Sequence, residues 1–156
     1  MASTVVSETI LIIASVIVAG ALSATVLGQM SVFDSAFNAS TESQKEAVLT
    51  KIKIIYATNT TSSNVSTWIK NIGMNPIKEP NLVDVYFGKI GSVQRIPYNT
   101  GSAPTWNYSS PVNVWQIKET TQINIYYNSQ LAKNSTYVIK ATTPNVIVDD
   151  HIFSIS

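Results

Sequence analysis

The chain has 156 residues, of which 45% are hydrophobic, 12% are charged and none is cysteine. This length allows one domain of ordinary size together with a terminal segment. The ten basic and nine acidic residues nearly balance and form no Lys/Arg cluster, so the sequence predicts no binding to nucleic acid. The lack of cysteine excludes zinc–thiolate sites and cysteine nucleophiles.

The first predicted element is an apolar helix over residues 10–27, which contain no charged residue and no proline. A helix of this length reaches roughly 27 Å, close to the hydrocarbon thickness of a bilayer. A buried core helix and a cleaved secretory signal are the alternatives, but residues 1–8 lack the basic segment that such signals carry. We therefore expect an uncleaved membrane-spanning helix within residues 1–30, anchored by Ile10, Leu11, Ile12, Ile13, Val16, Ile17, Val18, Leu22, Val26 and Leu27.

Three residues of this helix are candidates for contacts within a helix bundle: Glu8, Gly20 and Ala24. Small residues let two membrane helices approach closely, although a strict GxxxG motif is missing. A carboxylate at the membrane edge could meet an amino group of a partner chain. The simpler explanation of Glu8 is that an acid in the first turn suits the helix dipole.

Residues 31–49 are predicted to continue as a helical stalk. Val32, Phe33 and Phe37 recur at helical spacing, and the two Phe rings are either interfacial anchors or contacts in a bundle. A polar stretch follows, in which Thr41 and Gln44 could form a capping box that restarts the helix. The stalk is therefore either continuous or jointed near residues 38–42.

Beyond residue 50 the apolar period changes from helical to two, as in Lys51–Thr58, where Ile52, Ile54 and Tyr56 are expected on one face. No second helix is predicted. We expect a mainly β fold in which residues 50–156 form an antiparallel β-sandwich, immunoglobulin-like in architecture only. The predicted strands are 51–58, 65–72, 83–87, 93–96, 114–117, 122–127, 136–142, 146–148 and 152–155.

The longest predicted loop, residues 98–113, contains Gly101, Pro104 and Pro111. Most aromatic residues of the chain are expected in the sandwich core. Trp106 and Tyr108 are the exceptions, because they fall in this loop and could be exposed as anchors for a partner. We expect this loop and unpaired strand edges to provide the protein contacts of the head.

Nothing in the sequence predicts catalysis. His151 is the single histidine and follows Asp149 and Asp150, but neighbours in a strand point to opposite faces and would not converge on one metal ion. We expect these three residues in a hairpin turn between the last two strands. No nucleophile-elbow motif and no phosphate-binding glycine loop is present, so neither an enzyme nor a cofactor is expected.

Five sequons fit the N-glycosylation pattern, at Asn38, Asn59, Asn64, Asn107 and Asn134. No basic patch lies beside the membrane on the head side, because all ten basic residues occur at or after Lys45. Together these features predict that the N-terminus lies inside the cell and the β-domain outside.

Several segments carry a resemblance to a known family. Residues 7–21 look like the N-terminal segment of the accessory proteins of the archaellum (the archaeal flagellum), known as FlaG and FlaF. Residues 51–55 and 68–73, the latter with a Lys-Asn-x-Gly turn, are similar to strands of their sandwich. Residues 114–119 and 143–145 also resemble segments of these proteins. The resemblance therefore covers most of the chain, and it favours FlaG over FlaF.

This resemblance implies a non-enzymatic structural protein of the archaeal motility machinery. The helix would cross the cell membrane once, and the sandwich would stand beneath the surface (S-) layer as part of a stator. Archaellum accessory or motor proteins, a FlaF-like protein, the S-layer protein and further copies of the chain are the partners that it implies.

Two other classes of protein stay open. The first is a type IV pilin-like filament subunit, either an archaellin or an adhesion pilin, although no basic residue followed by glycine precedes the apolar run. The second is a membrane-tethered sandwich that binds a carbohydrate or another substrate, which requires aromatic side chains lined up on one exposed face.

Overall fold

A computed structural model describes residues 2–155 of the chain. It contains one long helix, α1 (Ala2–Leu49), and a short 3-10 helix (Pro80–Leu82). The strands are β1 (Ile52–Asn59), β2 (Asn64–Asn71), β3 (Asp84–Lys89), β4 (Ser92–Ile96), β5 (Thr105–Tyr108), β6 (Thr120–Tyr126), β7 (Ser135–Thr142) and β8 (Val148–Ile155).

The expected combination of an N-terminal helix and a two-sheet antiparallel fold is confirmed. One sheet, called sheet I here, has the strand order β1-β2-β6-β5, and the other, sheet II, has the order β4-β3-β7-β8. More buried residues alternate with more accessible ones along β6, β7 and β8, because one face of each sheet lies on the common core. That core contains Trp106, Trp115, Phe87 and the inward Ile and Val residues of both sheets.

Helix α1 is continuous through residues 38–42, so of the two expected forms of the stalk the jointed one is wrong. The polar residues there do not interrupt it, because Asn, Ser and Thr lower helix propensity by only a few tenths of a kcal/mol each. Contacts between residues divide the described chain near position 43, and residues 44–155 form a compact unit that includes the last turn of the helix.

Strand β1 contains an irregularity that reverses one expectation. Ile54 pairs with Ile69 and Tyr56 with Trp68, so a bulge at Ile55 shifts the register. Ile52 and Ile54 face the core as predicted, but Tyr56 is 55% exposed and Ala57 takes the next inward position. An extra residue in one strand moves the following side chains to the other face, and simple alternation cannot reveal this.

Three predicted segments differ from the structure. The loop 98–113 contains strand β5, which pairs with β6 through Trp106 and Ile125. Residues 114–117 form a single bridge from Trp115 to Ile77 in place of a strand. The last two predicted strands are one strand, β8, so the expected hairpin turn at residues 149–151 is wrong. Continuous pairing with β7 holds these polar residues extended.

Two edges of the sandwich are covered by the chain itself. Residues 97–99 form hydrogen bonds to the outer edge of β5. The Trp106 N–H donates to the Pro97 carbonyl at 3.0 Å, and the Asn99 N–H donates to the Trp106 carbonyl at 2.9 Å. At the edge of β1, the Asp149 carboxylate of β8 accepts hydrogen bonds from Lys53 Nζ at 2.9 Å and from the Ile54 N–H at 2.8 Å. Covered edges resist unwanted strand pairing.

Asp149→Ala is expected to lower the free energy of unfolding by about 1.5–3 kcal/mol, because it leaves the Ile54 N–H without its charged acceptor. The neighbouring Asp150→Ala is the matched control, since Asp150 is exposed and should change stability by no more than about 0.5 kcal/mol. Chemical unfolding followed by tryptophan fluorescence measures both. Equal effects of the two substitutions would contradict the role of the bridge between β1 and β8.

Candidate functional site

The apolar part of α1 presents its side chains outward. The ten residues expected as the membrane anchor are between 54% and 69% exposed. By length and composition, α1 is the one helix among the described residues that could cross a membrane. Its hydroxyl groups bond to its own backbone, as in Thr9 to the Val5 carbonyl at 2.8 Å and Ser23 to the Ala19 carbonyl at 2.8 Å. This satisfies polar groups that hydrocarbon could not hydrate.

The three expected bundle contacts do not share one face of this helix. Gly20 and Ala24 are four residues apart, so they lie on the same side. Glu8 precedes Gly20 by twelve residues, which rotates it by about 120° in a regular helix. A methyl group at Gly20 would meet nothing within 4 Å, so this glycine is not required by a contact inside the chain. Bundle contacts therefore remain a prediction for Gly20 with Ala24.

The end of α1 is held to the sandwich by a junction built on Asn71, the last residue of β2. This side chain is fully buried. Its Nδ2 donates to the Asn75 carbonyl at 2.9 Å and to the Trp115 carbonyl at 3.3 Å, while its Oδ1 accepts from the Gly73 N–H at 3.0 Å. One amide thus orders the turn at residues 72–75 and connects it to Trp115, which an isolated strand end could not do.

That turn contacts the helix end directly. The Met74 N–H donates to the Leu49 carbonyl at 2.7 Å, and this carbonyl is one of those left without a partner inside the helix. Thr50 bonds back to the Glu46 carbonyl and accepts from Asn145 Nδ2 at 3.1 Å. A side chain at Gly73 would meet the Leu49 carbonyl oxygen at 2.5 Å, so glycine permits this close approach. The helix end and the head are therefore linked by several bonds besides the chain itself.

The sequence did not reveal this junction. Asn71 and Gly73 belong to a segment that carries the family resemblance, but an Asn followed by Gly also occurs in ordinary turns. The only available signal was an asparagine at the end of an otherwise well-alternating strand. Its partners lie up to 44 residues away in the chain.

The expected exposure of Trp106 is wrong. This residue is 1% exposed and packs between Tyr98 and Tyr108, whose ring centroids lie 4.6 and 5.1 Å from its own. The loop contains a strand that turns Trp106 toward the core, so it cannot contact a partner. Tyr108 is half-buried on the same side, and its hydroxyl donates to the Pro80 carbonyl at 2.7 Å. Burial, and secondarily the nearby Tyr98, raise the pKa of Tyr108.

Tyr108→Phe is expected to make the stability of the chain fall less steeply as the pH rises into the alkaline range. The unfolded chain releases this proton near pH 10, but the folded head retains it because the pKa of Tyr108 is raised. The contribution of this raised pKa to stability is fully present below about pH 10. It is lost as the pH rises from there toward the pKa of Tyr108 in the folded head. Above that pH the melting temperature of the wild-type chain should fall faster than that of the variant.

At neutral pH the same variant should lose about 1 kcal/mol, because the Pro80 carbonyl loses its donor. Thermal melts of both chains from about pH 8 to about pH 11 give the comparison. Parallel curves above pH 10 would show that Tyr108 does not retain its proton on folding.

The five sequons occupy different settings. Asn38, Asn59 and Asn134 are exposed, and Asn134 lies in a turn with φ of +52°. Asn64 and Asn107 lie within strands and are half-buried. The first three are therefore more accessible to a modifying enzyme, and glycosylation of any of them remains a prediction.

Asp149 and Asp150, the acidic residues beside His151, do not converge on a common site. Within β8, Asp150 is exposed on the outer face of sheet II, while Asp149 bonds to β1. No group of three or more His, Cys, Asp or Glu residues that could hold a metal ion occurs among residues 2–155.

Comparison with protein-family models matches residues 2–146 to the archaeal-type flagellin model. Among solved structures, the chain is similar to the archaellum periplasmic stator protein FlaG from Sulfolobus acidocaldarius, with 38% identity and a TM-score of 0.63. The match covers 67% of this chain and 100% of that one. The complex of FlaF and FlaG from the same organism matches with the same identity and TM-score, over 67% of this chain and 90% of that one.

The archaeal flagellum of Methanospirillum hungatei strain JF1 matches over 97% of this chain and 93% of that one, with a TM-score of 0.78. Its identity is only 12%, so this likeness concerns the fold alone. No curated protein matches the chain.

Proposed function

The chain belongs to the archaeal-type flagellin family, and on that basis we propose that it is a non-enzymatic, static component of an archaellum stator. The observation that carries the proposal is the likeness to the stator protein FlaG, at 38% identity over the whole length of that solved chain. The filament structure is more similar in fold, but its 12% identity gives no support to a filament role.

A stator must resist torque, which requires fixation at both ends of the molecule. We propose that α1 supplies the first fixation by crossing the cell membrane once, with the sandwich on the outer side beneath the S-layer. The junction at Asn71 supports this role, because it joins the helix end to the head through Leu49, Thr50 and Gly73. These bonds hold the last turn of the helix to the sandwich, within the unit that begins at residue 44.

Cell fractionation tests the static role. After filaments are sheared from cells, the chain is expected to remain with the cell envelope, and a strain without the gene is expected not to swim. Supplying the wild-type chain should restore swimming. Recovery of the chain as a regular part of the sheared filaments would overturn the proposal in favour of a filament subunit.

The second fixation requires a partner on the head, and we propose that the edge strand β4 contacts it. β4 ends its sheet, pairs among residues 2–155 with β3 alone and has four exposed residues out of five. An unpaired edge is a surface to which another strand can add. A FlaF-like accessory protein is the partner we propose, because FlaF and FlaG of Sulfolobus acidocaldarius form a complex. An S-layer protein and further copies of the chain are other candidate partners.

Val93→Pro tests this contact. Lys89 and Ser92 close a two-residue hairpin turn, so the alternating ladder places the Val93 N–H on the outer edge of β4. Proline there removes a donor for a partner strand without breaking a bond to β3. Co-purification of the accessory protein should be lost with Val93→Pro and retained with Val93→Ala. Retention with both variants would exclude pairing at this edge.

A further inference from the structure

The outer face of sheet I carries an exposed aromatic pair. The bulge at Ile55 turns Tyr56 outward beside Trp68 on the adjacent strand, with ring centroids 5.7 Å apart and planes inclined by 35°. Tyr56 is 55% exposed and Trp68 is half-buried. Such a cross-strand aromatic pair stabilises a sheet, and its accessible ring faces can also stack against a ligand.

On one side of this pair the face carries uncharged polar side chains, while Lys70 and Lys53 occupy the row on the other side. Gln122 is directly opposite Trp68, and the next row places Ser66 opposite Asn124 and Asn124 opposite Asn107. Ser66 Oγ donates to Asn124 Oδ1 at 2.8 Å, and Gln122 Nε2 donates to the same oxygen at 3.0 Å. These bonds hold the amides in place before any ligand arrives, which lowers the entropic cost of binding.

Hydrogen-bonding capacity remains on this face after those bonds are formed. Gln122 Oε1 and Asn124 Nδ2 make no bond within the ladder, and an amide has both donors and acceptors. Asn107 Oδ1 is buried and finds no hydrogen-bond partner among the described residues. Because it is buried, this oxygen is not itself available to a ligand, and the accessible capacity of the face lies in Gln122 and Asn124.

We propose that this face binds a neutral oligosaccharide. The C–H side of a pyranose ring suits the exposed faces of Tyr56 and Trp68, while its hydroxyl groups both donate to and accept from the amides of Gln122 and Asn124. A protein partner suits the face less well, because covering ordered amides with apolar side chains leaves them without bonds. Within the two rows no side chain is charged, so the ligand need not be charged either.

The tryptophans of the chain provide a direct measurement. Two of the three, Trp106 and Trp115, are buried in the core, so Trp68 is the residue whose fluorescence a ligand on this face would change. The full chain, solubilised in a detergent without a sugar headgroup, is titrated with a panel of neutral oligosaccharides up to millimolar concentration. At least one of them should give a saturable change in fluorescence.

Variants identify the face that binds. Tyr56→Ala and Gln122→Ala should each weaken binding by about tenfold, the usual size of one lost stacking or hydrogen-bonding contact. Tyr86→Ala is the matched control, because Tyr86 lies half-buried in sheet II and its loss should leave the affinity unchanged. Thermal melts establish that each variant folds.

The proposal fails if no oligosaccharide gives a saturable change, or if Tyr86→Ala weakens binding as much as Tyr56→Ala does. It also fails if Tyr56→Ala abolishes binding of a partner protein while the wild-type chain binds no oligosaccharide, since the face is then a protein interface. The stator role is tested separately by fractionation and swimming, so either proposal can fail alone.

Discussion

Asn71→Ala is expected to lower the free energy of unfolding of the sandwich by about 3–4 kcal/mol. The substitution leaves the half-buried Gly73 N–H without its acceptor and the Asn75 carbonyl without its donor, and it opens a cavity beside Trp115. Loss of the Asn71 donor costs less at the Trp115 carbonyl, because this carbonyl still accepts a hydrogen bond from the Ile77 N–H at 2.9 Å. Urea unfolding of the full chain, followed by tryptophan fluorescence, measures the change.

Asn81→Ala is the control for this experiment. Asn81 is exposed in the short 3-10 helix, so its substitution should change stability by no more than about 0.5 kcal/mol. A loss below about 1 kcal/mol for Asn71→Ala would mean that the junction does not depend on this amide.

Gly73→Ala is expected to abolish or strongly reduce swimming and to cost about 2–3 kcal/mol of stability. The added Cβ would lie 2.5 Å from the Leu49 carbonyl oxygen and 2.6 Å from the Lys51 nitrogen. Both atoms belong to the backbone and cannot rotate away, so the helix end must move from the turn. That movement breaks the bond from the Met74 N–H to the Leu49 carbonyl, which ties the helix to the head.

The matched control is Gly28→Ala within α1, where an added Cβ would meet nothing within 4 Å. This variant should swim like the wild type. Envelope levels of both variants, measured by immunoblot, separate poor folding of Gly73→Ala from failure to transmit force. Normal swimming by Gly73→Ala would show that the stator role does not depend on the bond between Met74 and Leu49.

Much of the fold follows from local patterns. Residues 10–27 are apolar without interruption, and a helix is the structure that satisfies its own backbone bonds there. Alternation in Ile52 and Ile54, and again in β6 and β7, identifies strands with one face toward a core. The hairpin of β3 and β4 was also predictable, because Gly91 marks its turn and adopts a positive φ.

The candidate sites were less predictable. Trp106 was expected outside the core because glycine and prolines surround it, yet pairing of β5 with β6 turns it inward. Tyr56 was expected inside, and a one-residue bulge turns it out beside Trp68. Both errors concern the direction of one side chain, which depends on the register between strands and not on the composition around the residue.

The sequence alone therefore determined the apolar helix, the presence and order of most strands, and the lack of a metal or nucleophile motif, because each depends on residues close together in the chain. Only the tertiary structure decided that Asn71 joins the helix end to Trp115, that Asp149 bridges β1 and β8, and that aromatic and amide side chains share one exposed face. Lys53 and Asp149 are 96 residues apart. Which polar groups meet over such distances depends on how the two sheets close around their core, and no local pattern encodes that choice.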